Sequence, residues 1–370
     1  MTCTPELTTA VDIAFQRTNS VILKPFGHQV GGHSLLMKFD NTTICKPVIL
    51  RELQFYKCTT EELKKYTPKY HGVIKVRYEK QADGQIVVLA EKGEGADGVD
   101  QLSNGMQPHD TVDMKALLKC TPGSDTYHHN GTIDNGEYSN PWSKSCLQTL
   151  TQQLSDCTYL ESITQDYIVL DNLTTNMSCP CVLDLKMGTR QYGDDASAMK
   201  KAVFEERCAL STSQSMGVRV SGIQIYNNTK KQYTYRDKYY GRSLDRNGFL
   251  LALKEFVHDG TFYRTDIIPV IISNLKELRE MVSRQHSYRF YSSSLLILYD
   301  GDKTAHSNGI TGADAVPKVM VRMIDFAHTT CSRDGYQSDP IQYSGPDEGY
   351  VLGLTSLISA FQSHLDQVNR

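Results

Sequence analysis

Residues 180–188 read PCVLDLKMG, an apolar run interrupted by Asp184 and Lys186. Side chains alternate along a strand, so residues two apart share a face. Asp184 and Lys186 therefore point one way, and Leu183, Leu185 and Met187 point the other. Pro180 and Gly188 bound the segment as they would a strand. Asp and Lys are poor strand formers. Two readings fit: an edge strand with one wet face, or a strand presenting a carboxylate and an ammonium to a site. The rest of the chain has to choose between them.

A chain of 370 residues suffices for two domains, or for two lobes around a cleft. Its apolar content of 39% and charged content of 22% are ordinary for a globular protein. A formal net charge of −3 gives no sign of a nucleic-acid or membrane-surface binder, so an anionic ligand would need a local basic cluster. No apolar run is long enough to predict a membrane span. The opening MTCTPELTTAVDIAFQR lacks the basic region and apolar core of a signal peptide. Ten cysteines at irregular spacing, with no CxxC pair, read as reduced thiols of the cytosol or nucleus. The sequons at Asn41, Asn130, Asn172, Asn176 and Asn227 are then chance matches.

Working outward, residues 26–48 read as a hairpin interrupted by Gly31 and Gly32 and turned at Asp40-Asn41. RELQFYKCTTEELKKY follows with helical spacing, and residues 72–92 form a second hairpin turned at Asp83-Gly84. Residues 93–141, rich in Gly, Asp, Asn, His and Ser, show no periodicity and read as a mobile insert. A helix is expected from Trp142 to about Tyr159, then a short strand at DYIVL. Beyond the quoted segment, DDASAMKKAVFEERC reads as a helix with an acidic start. VRVSGIQIYN and KQYTYRDKYYGR read as a strand pair. NGFLLALKEFVHDG and DIIPVIISNLKELREMV carry helical apolar faces, the first stopped by Gly260. YRFYSSSLLILYDG and KVMVRMIDFAH are strands flanking a polar loop at 301–317, and an amphipathic helix closes the chain. The expectation is an α+β fold: a small strand-rich lobe over 1–171 and a larger one with an antiparallel sheet over 172–370.

Gly93, Gly95 and Gly98 fit GxGxxG, but a dinucleotide site needs a helix opening at the third glycine, and VDQLSNGMQPHD is no helix. Lys46 in a strand and Glu52 early in the next helix match the arrangement in which a lysine reaches nucleotide phosphates and a carboxylate orients it. Asp325 ends an apolar strand, where a carboxylate is well placed to hold Mg²⁺. Asp300 ends the preceding strand within a common turn, and a hydroxyl of Ser292, Ser293 or Ser294 falls near the same place. Lys186, Arg190, Lys200, Lys201 and Arg207 form a basic set, with Lys200 and Arg207 on one helical face. Lys46, Glu52, Asp184, Lys186 and Asp325 occur in the order a two-lobed phosphotransferase needs. Protein-kinase marks are missing: there is no HRD loop, and DFA stands where DFG would be. A kinase-like fold with a non-protein acceptor follows.

The segment PCVLDLKMG fits the PxxxDxKxG signature of the inositol polyphosphate kinases without a gap, and SSSLL and MIDFAH fit the two later motifs of that family. The chain resembles this family from about residue 23 to about residue 360, lapsing in 93–141 and 301–317. The wording of PFGHQVGGHS, CKPVILRELQFY, LDLKMGTRQYGDDAS and RMIDFAHTTC is similar to its inositol hexakisphosphate kinases in particular. The resemblance implies a two-lobed kinase-like fold of the ATP-grasp or protein-kinase type, with ATP and Mg²⁺ as cofactors and an inositol polyphosphate as acceptor. By motif, Lys46 would bind ATP phosphates, steadied by Glu52, and Asp171 and Leu173 would meet adenine at the hinge. Asp171 departs from the more usual glutamate there. Asp184 would touch ribose and help orient the acceptor, and Lys186 would contact the acceptor and the moving phosphoryl group. Asp325, with Ser294, would hold the metal. His328 and the basic residues Arg190, Lys200, Lys201, Arg207 and Lys238 would face the inositol phosphate. Two alternatives stay open: a kinase of lower inositol phosphates, and a non-catalytic inositol-phosphate-binding scaffold.

Overall fold

Two antiparallel sheets carry the fold of the computed structural model, which describes residues 20–32, 34–80, 86–91, 130–132, 140–155, 164–302, 317–332 and 343–368. Most of the glycine-rich insert and of the 301–317 loop therefore lies outside the described residues. The front half supplies β1 (Ser20–Ile22), β2 (Lys24–Pro25), β3 (Met37–Lys38) and β4 (Thr43–Pro47), then α1 (Leu50–Cys58) and α2 (Glu61–Lys64). It continues with β5 (Tyr70–Lys80), β6 (Ile86–Glu91), β7 (Asn130–Thr132), α3 (Pro141–Ser155) and β8 (Thr164–Asp171). The back half supplies β9 (Pro180–Met187), α4 (Ala198–Ala209), α5 (Thr212–Met216), β10 (Val218–Asn227), β11 (Gln232–Arg236), α6 (Lys238–Ser243), α7 (Arg246–Phe256) and α8 (Ile268–Ser283). It ends with β12 (Tyr288–Arg289), β13 (Ser294–Asp300), β14 (Val319–Ile324), β15 (Thr330–Cys331) and α9 (Glu348–Val368).

The front sheet runs β1-β6-β5-β8-β4-β3-β2 and the back sheet β14-β13-β9-β10-β11-β7. The quoted segment is not an edge strand: β9 lies between β13 and β10 and is buried along its length except at Lys186. Central strands covered on both faces read as near-continuous apolar runs. A charge there implies a site and not wet solvent, and this settles the opening choice. Helices α7, α8 and α9 close the back sheet with Phe249, Phe256, Ile271, Leu275, Leu354 and Phe361, all fully or almost fully buried. Each such side chain contributes roughly 1.5–3 kcal/mol on burial, which gives the site a stiff floor. Phe55, Tyr56 and Leu63 from α1 and α2 join this same core, so the first helices of the front half dock on the back half.

Several local expectations change. The hairpin at residues 26–48 is shorter than expected, pairing β3 with β4 around Asp40, whose Oδ1 accepts the N–H groups of Thr42 and Thr43. The helical run after Lys46 breaks into two at Thr59, because Thr60 caps α2. The insert is not wholly aperiodic: β7 extends the back sheet beside β11. Helix α4 has no acidic first turn, since Ser197 takes the cap and Asp194 and Asp195 precede it. KQYTYRDKYYGR is half strand and half helix, because Asp237 accepts from the N–H groups of Tyr239 and Tyr240 and starts α6. Among the described residues Cys45, Cys146, Cys179, Cys181, Cys208 and Cys331 are free thiols.

Candidate active site

A cleft of about 410 Å³ opens between the sheets, and both halves of the chain wall it. Lys46, Glu52, Asp171, Leu173, Asp184, Lys186, Lys200, Asp325 and His328 all line it, so sequence positions spread over 282 residues converge. Arg190, Lys201, Arg207, Lys238 and Ser294 are not among its lining residues.

Lys46 is the hub on the front side. Its Nζ lies 2.8 Å from Asp325 Oδ1 and 3.1 Å from both Glu52 oxygens. Burial opposes its charge, but the carboxylates of Asp325 and Glu52 outweigh that and raise its pKa. Glu52 is fully buried; burial, and then the Asp325 charge, push its pKa up against the pull of Lys46. Asp325 follows β14 with φ +63°, a left-handed conformation that a non-glycine residue rarely adopts. Such a residue stores about 1–3 kcal/mol and persists only where its neighbours fix it. Phe326 does the fixing: its ring stacks on Phe55 at 3.7 Å between centroids, and its N–H donates to Glu52 Oε1.

Asp184 and Lys186 reach the cleft from β9 as the alternation predicts. Asp184 is 3% exposed, and its Oδ1 has no hydrogen-bond partner. Burial raises its pKa to about 6, against the opposing pull of Lys186. Gly31 covers it from the front half so closely that a Cβ there would stand 2.3 Å from Asp184 Oδ2. Lys186 Nζ donates to the Ser292 carbonyl at 2.8 Å, and burial lowers its pKa despite Asp325 and Asp184. Ser292 adopts φ +57° in the turn before β13. Ser294 sits opposite Lys186 in the strand register, fully buried, with its hydroxyl beside the Asp184 carboxylate. The member of the serine triplet that reaches the cleft is Ser292.

At the far end, Asp171 is held by His71 Nε2 at 2.7 Å and by the Lys69 N–H. Burial resists its ionisation, but the His71 hydrogen bond prevails and lowers its pKa. Its side chain is thus committed within the front sheet. Asp171 and Leu173 present the connection between the sheets to the cleft.

The basic set divides. On α4, Lys200 and Phe204 line the cleft, while the Arg207 guanidinium lies over the Phe204 ring at 5.1 Å. Arg190 is sandwiched between Tyr192 and Tyr291 and paired with Asp194 at 2.5 Å, so it anchors the loop leading to α4. Lys238 lies over the Trp142 ring at 5.3 Å. Burial, and then Lys200, lower the pKa of His328. The sequence reading missed Arg219, which sits opposite Lys186 in the register and is 5% exposed. It also missed Arg51, next to Glu52 on α1, whose Nη2 reaches Asp195 at 3.5 Å.

A family model described as "Inositol polyphosphate kinase" matches residues 167–362. Inositol hexakisphosphate kinase 1 of Rattus norvegicus is 38% identical over an alignment covering 94% of this chain and 94% of its own. Inositol hexakisphosphate kinase 3 of Homo sapiens is 37% identical, covering 92% and 95%. Among solved structures, an inositol phosphate multikinase from S. cerevisiae in complex with ADP and Mn²⁺ is similar at 24% identity and a TM-score of 0.46, covering 54% of this chain and 84% of that one.

Proposed function

This chain belongs to the inositol polyphosphate kinase family, and we propose that it transfers the γ-phosphoryl group of ATP to inositol hexakisphosphate, forming a diphosphoinositol pentakisphosphate. One observation carries the reading: Lys46 and Glu52 from the front half share a cleft with Asp184, Lys186 and Asp325 from the back half, and Lys200 adds a further cation to its wall. The hexakisphosphate kinases it resembles over nearly their whole length support the choice of acceptor. We read the two sheets as the lobes of a kinase-like fold, of the protein-kinase or ATP-grasp type, with residues 1–171 and 172–370 as lobes and Asp171 and Leu173 at the hinge, where adenine would lie.

Phosphoryl transfer needs alignment and charge neutralisation more than covalent help. The bond from the γ-phosphorus to the bridging oxygen breaks, a bond to an acceptor phosphate oxygen forms, and ADP leaves. That oxygen is already ionised, so no base is required. Lys46 would hold ATP phosphates, with Glu52 keeping it aimed. Lys186, tethered to the Ser292 carbonyl, would neutralise the acceptor and the moving group. Asp184 would orient both partners.

The site also fits Mg²⁺. Asp325 and the unpartnered Oδ1 of Asp184 are hard oxygen donors whose charges repel each other. Mg²⁺ takes one or two carboxylates and completes its shell with water and phosphate oxygens. Bound there, it would supply further charge neutralisation on the nucleotide phosphates.

Hexakisphosphate carries about −9 to −12 at neutral pH. Each contact to Lys or Arg contributes roughly 1.5–3 kcal/mol, so a few cations in a cleft hold it despite the net negative protein. The test is incubation with ATP, Mg²⁺ and inositol hexakisphosphate, with products separated by charge. A species more anionic than the acceptor is expected. Phosphorylation of tris- or tetrakisphosphate alone would overturn the acceptor assignment.

A further inference from the structure

The loop between β2 and β3 belongs to the front half by sequence and to the back half by contact. Leu23 before its tip and Leu35 and Met37 after it pack in the front core, whereas Val30 at the tip packs on Val182 of β9 and Leu298 of β13. The seat for Val30 is a notch in β10, whose pairing with β9 shifts register between Val220 and Gly222. A Cβ at Gly222 would stand 1.9 Å from the Val30 carbonyl oxygen, so only a glycine admits the loop backbone there. One residue on, Gly31 lies against the carboxylate of Asp184 and the hydroxyl of Ser221.

Two buried amides clamp the loop on this seat. Asn140 Nδ2 donates to the carbonyls of Gly27 at 3.0 Å and Gln29 at 2.7 Å, while Asn140 Oδ1 accepts the Trp142 N–H and caps α3. Gln224 of β10 donates to the Pro180 carbonyl at 2.8 Å and to His28 Nδ1 at 2.9 Å. Both amides are buried, and a buried polar network that is fully paired makes its surroundings rigid. Ser143 Oγ adds a bond to the Phe26 carbonyl at 2.7 Å. Within the loop, the Gln29 amide donates to the carbonyls of Gly31 and Ser34 and accepts the Leu36 N–H, each at 2.8 Å. A hold on Gly27 and Gln29 is thereby passed on to Gly31. Asn140, Gly222 and Gln224 line no part of the cleft, so whatever they do there they do through this loop.

We propose that Asn140, Gly222 and Gln224 are positioning residues that hold the loop as a cover over Asp184, so that the γ-phosphoryl group passes to the acceptor and not to water. This rests on the functional reading given above. In the unwanted reaction a water oxygen bonds to the γ-phosphorus, the bond to the bridging oxygen breaks, and ADP, inorganic phosphate and a proton leave. Water outnumbers any acceptor, and a closed site suppresses such side reactions by keeping it out.

The test compares ADP release with diphosphate formation by the full chain given Mg·ATP and inositol hexakisphosphate. Asn140→Ser keeps a hydroxyl that caps α3 and removes the amide donors. Gly222→Ala puts a methyl where the Val30 carbonyl sits. Each is expected to raise the ratio of ADP to diphosphate product by about fivefold or more, the change in open-loop population that follows the loss of one or two hydrogen bonds. Ser143→Ala, which loses one bond at the base of the loop, should raise it less. A residue that only supported the fold would lower ADP and product together, so an unchanged ratio would overturn the proposal. Should Gly222→Ala not fold, Asn140→Ser decides alone. If the wild type converted a lower inositol phosphate but not hexakisphosphate, the acceptor assignment would fail, and the ratio measured with that lower phosphate would judge the cover on its own. Conversion of no inositol phosphate would overturn both.

Discussion

Lys46 touches two carboxylates, while Lys186 touches none among the described residues and is tethered to the Ser292 carbonyl. The first group shares one cation between two carboxylates in the protein alone, locked by the Phe326–Phe55 stack and by a strained Asp325. The second is a cation held by a backbone carbonyl. The contrast teaches that the two ends of the cleft are prepared differently. On the proposed reading, the Lys46 end is held by internal ion pairs, so a nucleotide there would exchange partners. The Lys186 end is held by a tether to the Ser292 carbonyl, so an acceptor there would supply the missing anion. Removing a cation should therefore lower stability at one end and leave it alone at the other.

The largest expected effects come from one substitution at each end. Lys46→Met leaves Glu52 and Asp325 without their cation, and breaking a buried pair in this way costs about 3–5 kcal/mol. Lys186 has no carboxylate at ion-pair distance among the described residues, and Lys186→Met should change stability by less than about 1 kcal/mol. Both variants should lose turnover by about 10³-fold or more, as should Asp325→Ala. Chemical denaturation with parallel assays checks the pattern. Equal destabilisation by the two lysine variants would erase the distinction.

Next in size is Gly31→Ala. The added methyl would have to displace the Asp184 carboxylate, which Gly31 covers from the front half. Turnover should fall by about 10–100-fold while hexakisphosphate affinity stays near wild type, because the acceptor cations are untouched. An unchanged rate would mean that the glycine loop moves away from Asp184 before reaction.

Much of the cleft was readable in the sequence. Asp184 and Lys186 interrupt an apolar strand at spacing two, Asp325 ends another, and Lys46 and Glu52 lie six residues apart; each is a local breach of pattern. Arg219 and Arg242 were not. Arg219 sits in VRVSGIQIYN, where one arginine among alternating residues looks like a solvated strand position. Arg242 sits in a stretch whose strand-like tyrosines hid the Asp237 cap that starts a helix. What brings them together is the glycine of α6 on Val220, a contact between distant residues that no local period records. Arg190 misled in the opposite sense: its charge is visible in the sequence, but its pairing with Asp194 is not.

Protonation separates the ends more gently. Burial raises the pKa of Asp184 to about 6 from its ordinary 3.8. A carboxyl whose folded pKa is raised stabilises the fold fully below the lower value and loses that contribution as pH rises through the higher one. Ligand-free Asp184→Asn should therefore gain on the wild type between pH 3.8 and about 6, by about 3 kcal/mol at most, and hold that gain above. Turnover of the wild type should fall below about pH 6 as the orienting carboxylate takes up a proton. A stability difference that is flat with pH would remove Asp184 as the titrating group.

The smallest effect belongs to His328, where the two ends meet. Burial and the Lys200 charge hold its pKa below the usual histidine value, so the ligand-free imidazole is largely neutral at pH 7. A polyphosphate docked against Lys200 cancels that charge and adds its own, which raises the histidine pKa. Binding should then draw in a fraction of a proton at His328. The acceptor phosphates titrate near pH 6 themselves and release protons when they meet cations, so the net exchange of the wild type is ambiguous in sign. The difference between wild type and His328→Asn is not. Calorimetry in two buffers of unlike ionisation enthalpy should show more proton uptake, or less release, in the wild type, with affinity changed by less than about tenfold. Identical exchange in the two proteins would place the acceptor away from His328.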